Sequence, residues 1–418
     1  MGFLRSLSAG VTGLRNNTLM MDVIGNNVAN INTIGFKGSR ITFSDMFSQT
    51  LRGASSPTGT SGGTNPMQVG LGASINSLDL MFTQGSIEGT SRPLDLAITG
   101  NGFFAVKSNG KQYYTRVGTF DRDSAGNLYL PGTGAILQGK LANAAGVIPT
   151  GSTLVDMKID LDRKSPAKAT TVAYFAGNLN AKAKPGDSTT AGIDVFDSQG
   201  NPITLEMTFT NTEPNKWTWS MSSATGTINA GQTGTIEFNP DGTLKQFAYD
   251  GGATNFQMTT GLGTSDLAID LNIGTPNMQS GVTQNYSSTS EVRNKSQDGW
   301  AAGTVSSWEI DKNGYVNAKF SNNKMLVLGQ VMMAEFNNPA GLVKCGDSMY
   351  DISGNSGSPV IVASGGTSNI NVGALEGSNV DLPEEFTKMI VAQRGFQSNA
   401  RVITTSDEIL NEVVNLKR

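Results

Sequence analysis

The sequence predicts a mainly β chain bounded at each end by a long amphipathic α-helix, and three observations lead there. Glycine takes 51 of 418 positions and Ser, Thr and Asn are plentiful, a composition suited to short strands joined by tight turns. From about Asp95, short apolar or alternating runs recur between turn residues, the spacing of a sandwich or barrel. A three-four alternation of apolar residues marks both ends. A chain this long exceeds one ordinary core and divides into about two to four domains of roughly 100–200 residues each.

At the N-terminus, Leu4, Leu7, Val11, Leu14, Thr18, Met21, Gly25 and Val28 follow steps of three and four, a heptad seam with two weak positions. Turn-favouring residues from Asn30 onward end it. The C-terminus repeats the pattern in Leu382, Phe386, Met389, Gln393, Phe396, Ala400, Ile403, Asp407, Leu410 and Val414. Asp381 and Glu384 form a candidate capping box, and Pro383 is tolerated in a first turn, where its missing N–H has no intrahelical partner to lose. Seams this narrow suit coiled-coil pairing, with each other or with neighbouring copies.

Between the helices, Ser48 to Gly63 is poor in bulky apolar residues and reads as an extended, poorly ordered connector. Strands are predicted at Leu94–Thr99, Phe103–Val106, Tyr113–Val117 and Asn127–Leu130. Four segments share one pattern of apolar residue, Asp, Gly turn and apolar residue: Phe120–Tyr129, Val195–Ile203, Phe238–Leu244 and Trp308–Val316. Their unequal spacing predicts four β-hairpins rather than a solenoid.

Composition removes several function classes. Histidine is absent, which excludes Ser-His-Asp triads and His-ligated metal sites. Lys+Arg 30 against Asp+Glu 34 leaves a net charge of −4, without the basic footprint of a nucleic-acid binder. The lone Cys345 cannot close an intramolecular disulfide. No apolar run approaches the length of a membrane span, and the first residues lack a signal peptide's basic and apolar regions. Gly100-Asn-Gly102-Phe103-Phe104-Ala105 imitates a dinucleotide fingerprint, but the residues from Phe103 onward read as a strand, not the helix that would hold pyrophosphate. Asp121, Asp123 and Gly126 imitate the start of a calcium loop, yet its twelfth position is Gly132, without the bidentate carboxylate. No cofactor, small-molecule substrate or nucleic-acid partner is expected, and no catalytic activity.

The segment Gly25-Asn26-Asn27-Val28-Ala29-Asn30-Ile31-Asn32-Thr33-Ile34-Gly35-Phe36-Lys37 resembles the signature of the rod and hook axial proteins of the bacterial flagellum. The resemblance continues through Asp95–Phe104, with its Gly100-Asn-Gly102-Phe103-Phe104 turn, Tyr114–Phe120, Gly373–Leu382 and Met389–Ala400. Val195-Phe-Asp-Ser-Gln-Gly-Asn201 and the long middle insertion resemble the hook branch of that family rather than its shorter rod branch. Ser48–Gly70 resembles the extended connector of the distal rod protein.

The resemblance implies residues 1–40 and 380–418 as an inner coiled-coil domain and 41–90 with 361–379 as connector. It further implies 91–146 with 284–360 as a middle β domain and 147–283 as an outer β domain inserted in it. The implied function is structural: an exported subunit, without a cleaved signal peptide, of an extracellular helical tube. The implied partners are further copies and other axial proteins, namely distal rod, hook cap and hook–filament junction. Leu4, Leu7, Val11, Leu14, Met21, Val28, Leu382, Phe386, Met389, Phe396, Ile403, Leu410 and Val414 are the residues expected to carry assembly.

Overall fold

Both ends of the chain are helical in the computed structural model, which describes residues 2–57, 59, 62–151, 153–261, 266–286 and 289–415. The side chains of residues 2–4 and of Val413 lie outside that description, Leu4 among them. Helix α1 spans Gly2–Ala29 and α2 spans Leu382–Asn415. Successive turns at Asn30, Ile31 and Thr33 stop α1, and the Glu384 N–H donates to the Asp381 carboxylate at 3.1 Å, the cap that starts α2.

The two helices pack antiparallel, because α1 positions of rising number meet α2 positions of falling number. A Cβ on Gly10 would lie 3.2 Å from Ile403, one on Gly13 2.5 Å from the Asn399 amide, and one on Gly395 2.8 Å from the Asn17 side chain. Small residues therefore let the backbones approach, and Asn17 and Asn399 fill the gap. At Ile403 this contact meets the apolar seam read from the sequence.

Four strands follow α1: β1 (Ser39–Asp45), β2 (Ser48–Arg52), β3 (Met67–Gly70) and β4 (Ala73–Leu80). β1 pairs antiparallel with β4 and β2 with β3, and a further bridge joins Ser55 to Thr64. The poorly ordered connector expected at Ser48–Gly63 is thus corrected to one side of a hairpin arm. Its one bulky apolar side chain, Leu51, stays outside at 52% exposure, but backbone groups are paired across the hairpin, and that pairing needs no core. The Asn16 amide donates to the Ala73 carbonyl at 3.0 Å and ties the arm to α1.

The chain forms two compact units. The first holds residues 1–160, 309–317 and 327–418. Its β core is built on β5 (Ile87–Gly89), β6 (Leu96–Thr99), β7 (Phe103–Ser108) and β8 (Lys111–Thr115). β7 pairs with β8, with Ile136–Leu141 and with Met333–Glu335. Phe82, Phe103, Tyr114, Phe336 and Tyr350 pack edge to face there, with ring centres 4.8–6.0 Å apart, the arrangement favoured by aromatic quadrupoles.

The second unit holds Leu161–Trp308 and Ala318–Leu326, so it starts and ends later than the 147–283 insertion. A five-stranded antiparallel sheet is built within Ser188–Tyr249, from which Thr227–Ala230 departs to the other sheet. A six-stranded sheet includes Val172–Asn180, Phe256–Thr259 and Leu267–Asn272. Strand burial alternates, as in Pro202–Glu213, and the inward residues of both sheets, among them Phe175, Phe209, Trp217, Trp219 and Phe256, form one core, which is a β-sandwich.

Candidate functional site

Four segments that carry the family resemblance meet at one buried cluster in the first unit. From the turn after α1 comes Lys37; from the loop after β8 comes Arg116; from Ala374–Glu376, which pairs with β5, comes Glu376. Lys37 Nζ lies 2.7 Å and Arg116 3.4 Å from the Glu376 carboxylate, and all three side chains are at most 1% exposed. Glu376 Oε1 also accepts from Gln84 at 2.6 Å and from the Gly85 N–H at 3.0 Å. Lys37 donates to the Thr83 carbonyl at 2.8 Å and Arg116 to the Gly100 carbonyl at 2.7 Å.

Burial pushes the Lys37 ammonium and the Arg116 guanidinium below their ordinary pKa values, with Glu376 opposing that shift in both. The neighbouring Tyr350 hydroxyl is pushed well up by the same burial. Two buried cations facing one carboxylate form a structural clasp: charges in such a place are held by geometry and hydrogen bonds, not by water.

The glycines of the signature are where backbones touch. Gly35 has φ +67° and a Cβ there would lie 2.7 Å from the Val117 nitrogen, while its N–H donates to the Glu376 carbonyl at 2.7 Å. Gly100 has φ +107° and a Cβ would lie 2.5 Å from the Thr367 carbonyl. The Gly102 N–H donates to the buried Ser368 hydroxyl at 2.9 Å. Phe103 and Phe104 behind this turn are fully buried, Phe104 edge to face with Phe120, and Arg116 lies over the Phe103 ring at 4.9 Å. The turn joins two strands, as the sequence indicates, and is a glycine-shaped close approach of chain segments.

Beside the clasp, Asn27 joins three elements. Its amide donates to the Ser39 carbonyl at 2.9 Å and to Glu385 at 3.1 Å, and its carbonyl accepts from the Ser39 N–H. Asn30 donates to the Asn26 carbonyl and accepts from Thr33, which closes the turn after Ala29. Phe36 is buried under Lys344, whose ammonium stands 4.1 Å from the ring centre. Burial lowers the Lys344 pKa.

The helix residues expected to carry assembly fall into two sets. Leu7, Leu14, Met21, Val28, Leu382, Met389, Ile403 and Leu410 are half-buried. Val11, Phe386, Phe396 and Val414 are exposed, and with them Ile390 and Val391, which the seam did not include. On α2 the positions shielded within the chain are Glu385, Ala392 and Ser406. Sequence reasoning also missed Arg116 and Glu376 as a pair; both lie inside segments that carry the family resemblance, but nothing local marks a charged residue as buried.

Asp123 is engaged in turn formation: its carboxylate accepts from the Ala125 and Asn127 N–H groups at 2.9 and 2.7 Å and from the Asn127 amide. These bonds hold its pKa below the ordinary value, the Asn127 side chain contributing most. Among the described residues, no cluster of three or more His, Cys, Asp or Glu is placed to hold a metal ion, and no helix is long and apolar enough to cross a membrane.

Known proteins are similar to this chain along nearly its whole length. Family models match at 7–37 (flagella basal body rod protein), 97–165 (flagellar hook protein FlgE/F/G D1 domain), 156–300 (flagellar basal body protein FlaE D2 domain) and 371–416 (flagellar basal body rod FlgEFG protein C-terminal). The flagellar hook protein FlgE of Borreliella burgdorferi is 39% identical over 99% of this chain and 100% of that one. That of Escherichia coli is 35% identical over the same shares. The flagellar basal-body rod protein FlgG of Bacillus subtilis is 31% identical over 99% of this chain and 100% of its own. The crystal structure of Helicobacter pylori flagellar hook protein FlgE2 aligns at 13% identity and TM-score 0.44, over 68% of this chain and 99% of that one, too loosely to bear on the fold. With full-length hook relatives, a hook-type insertion at 156–300 and both terminal family segments joined through the clasp, the chain belongs to the flagellar hook protein family of bacterial axial proteins.

Proposed function

We propose that the chain is a non-catalytic subunit that polymerises into a short, curved tube and transmits motor torque to the filament by bending. Residues 1–40 with 380–418 form its inner domain and 41–90 with 361–379 its connector; the outer domain, read from the sequence as 147–283, is carried by the compact unit of 161–308 with 318–326. Distal rod, hook cap and hook–filament junction proteins are its axial neighbours, and it works outside the cell. The observation that carries this reading is the face left on α2 after it has paired with α1: Phe386 is 47%, Ile390 58% and Val391 61% exposed. Apolar side chains at that spacing on a helix need a partner surface, and neighbouring copies supply one. Each large side chain fully covered contributes roughly 1.5–3 kcal/mol.

The test compares the parent with Phe386→Ser/Ile390→Ser. The variant is expected to keep the parent's circular dichroism and thermal midpoint yet form no tubes in negative stain. Tubes at parental yield would overturn the assignment of this face.

A further inference from the structure

The carboxylate of the clasp comes from the far end of the chain. Lys37 and Glu376 are 339 positions apart and Arg116 and Glu376 260, and among the described residues neither cation meets another carboxylate within 4 Å. The segment that brings Glu376 also completes two sheets, Ala374–Glu376 against β5 and Asn369–Val372 against β6. Among the described residues, the hydrogen-bond and ion-pair partners of Glu376 lie between Gly35 and Arg116.

We infer that Glu376 is a completion switch for folding: the part of the first unit built from residues 35–116 does not reach its native packing until the C-terminal segment docks and supplies the charge shared by Lys37 and Arg116. An ion taken out of water without its partner is strongly disfavoured. Arginine cannot escape by losing its proton, so before Glu376 arrives Arg116 stays in water. Its position over Phe103, and the glycine crossings at Gly35 and Gly100, then stay unmade. A chain made or delivered from its N-terminus remains open in this region until nearly all of it is present. The switch is independent of the proposed polymer and operates in the monomer.

Pulsed hydrogen exchange during refolding of the full chain tests it. Amides of Phe103–Val106 and of Asn369–Glu376 are expected to gain protection together. Protection of Phe103–Val106 roughly tenfold sooner would overturn the inference. Because strand completion alone could couple the two segments, the charge is isolated with Lys37→Met/Arg116→Met/Glu376→Met, which keeps the strands and removes the ions. In that variant Phe103–Val106 is expected to gain protection roughly tenfold sooner than in the parent, and an unchanged rate would assign the coupling to strand pairing and sink the switch. Glu376→Gln, which leaves two buried cations unpaired, is expected to lower the midpoint of the first unit by roughly 10 °C; a midpoint equal to the parent's would also refute it.

Discussion

Asp298 shows what one side chain does when its hydrogen bonds outweigh its desolvation. Burial pushes its carboxyl pKa up, but bonds from Lys168, the Val172 N–H, the Thr171 hydroxyl and the Thr171 N–H hold it far below the ordinary value, at 2.7–2.9 Å. A carboxyl whose folded pKa lies below its unfolded one adds stability above the unfolded value, about 3.9, and loses it as pH falls further. Asp298→Asn should therefore cost about 2 kcal/mol at pH 7, with the gap to the parent narrowing below about pH 4 as the carboxyl of the unfolded chain takes up a proton while that of the folded chain stays ionised. Urea titrations at pH 7 and pH 3 check both statements. An undiminished gap at the lower pH would show that shape and not charge matters there.

At the scale of elements, one turn recurs with the same bonds. The heads Asp123, Asp197 and Asp311 accept from N–H groups two and four positions on, the first at 2.9 Å in each. The glycine three positions after each head, Gly126, Gly200 or Gly314, has a φ between +78° and +91°. The Phe238–Leu244 turn varies the plan, with Asn239 as head and the Asp241 carboxylate binding Thr243. A fifth copy at Asn143–Val147, built on the Asn143 carbonyl oxygen, escaped the sequence reading because its head is Asn and its flanks are weakly apolar. Asp123→Ala should lower the thermal midpoint, like the loss of a helix cap. Gly126→Ala should cost more, since its Cβ would lie 2.6 Å from the Ile159 carbonyl and the conformation itself is strained. Equal thermal midpoints for the two variants would contradict this order.

At the scale of the whole molecule, the second unit has a core of its own. Its two sheets interlock through Phe175, Phe209, Trp217, Trp219 and Phe256, all at most 1% exposed, and all these residues lie between positions 161 and 308. A fragment of residues 161–326 is therefore expected to melt in a single cooperative transition followed by near-ultraviolet circular dichroism. A flat trace would mean that this core is not self-sufficient.

The amino-acid sequence by itself determined the two terminal helices, the first strands of the β region and four of its turns. The three-four alternation placed α1 and α2, and the Asp–Gly pattern placed the hairpin turns, because both signals act over a few residues. The failed helix after Gly102 was legible for the same reason. The tertiary structure decided where the helix backbones approach: Gly10 against Ile403, Gly13 against Asn399 and Gly395 against Asn17, positions that apolar periodicity alone does not mark. It also paired Ser48–Arg52 with Met67–Gly70, which weak apolar content concealed, and buried Lys37 and Arg116 on Glu376. A charged residue is ordinarily solvated, and whether it can instead be buried depends on a partner hundreds of positions away, which no local pattern specifies.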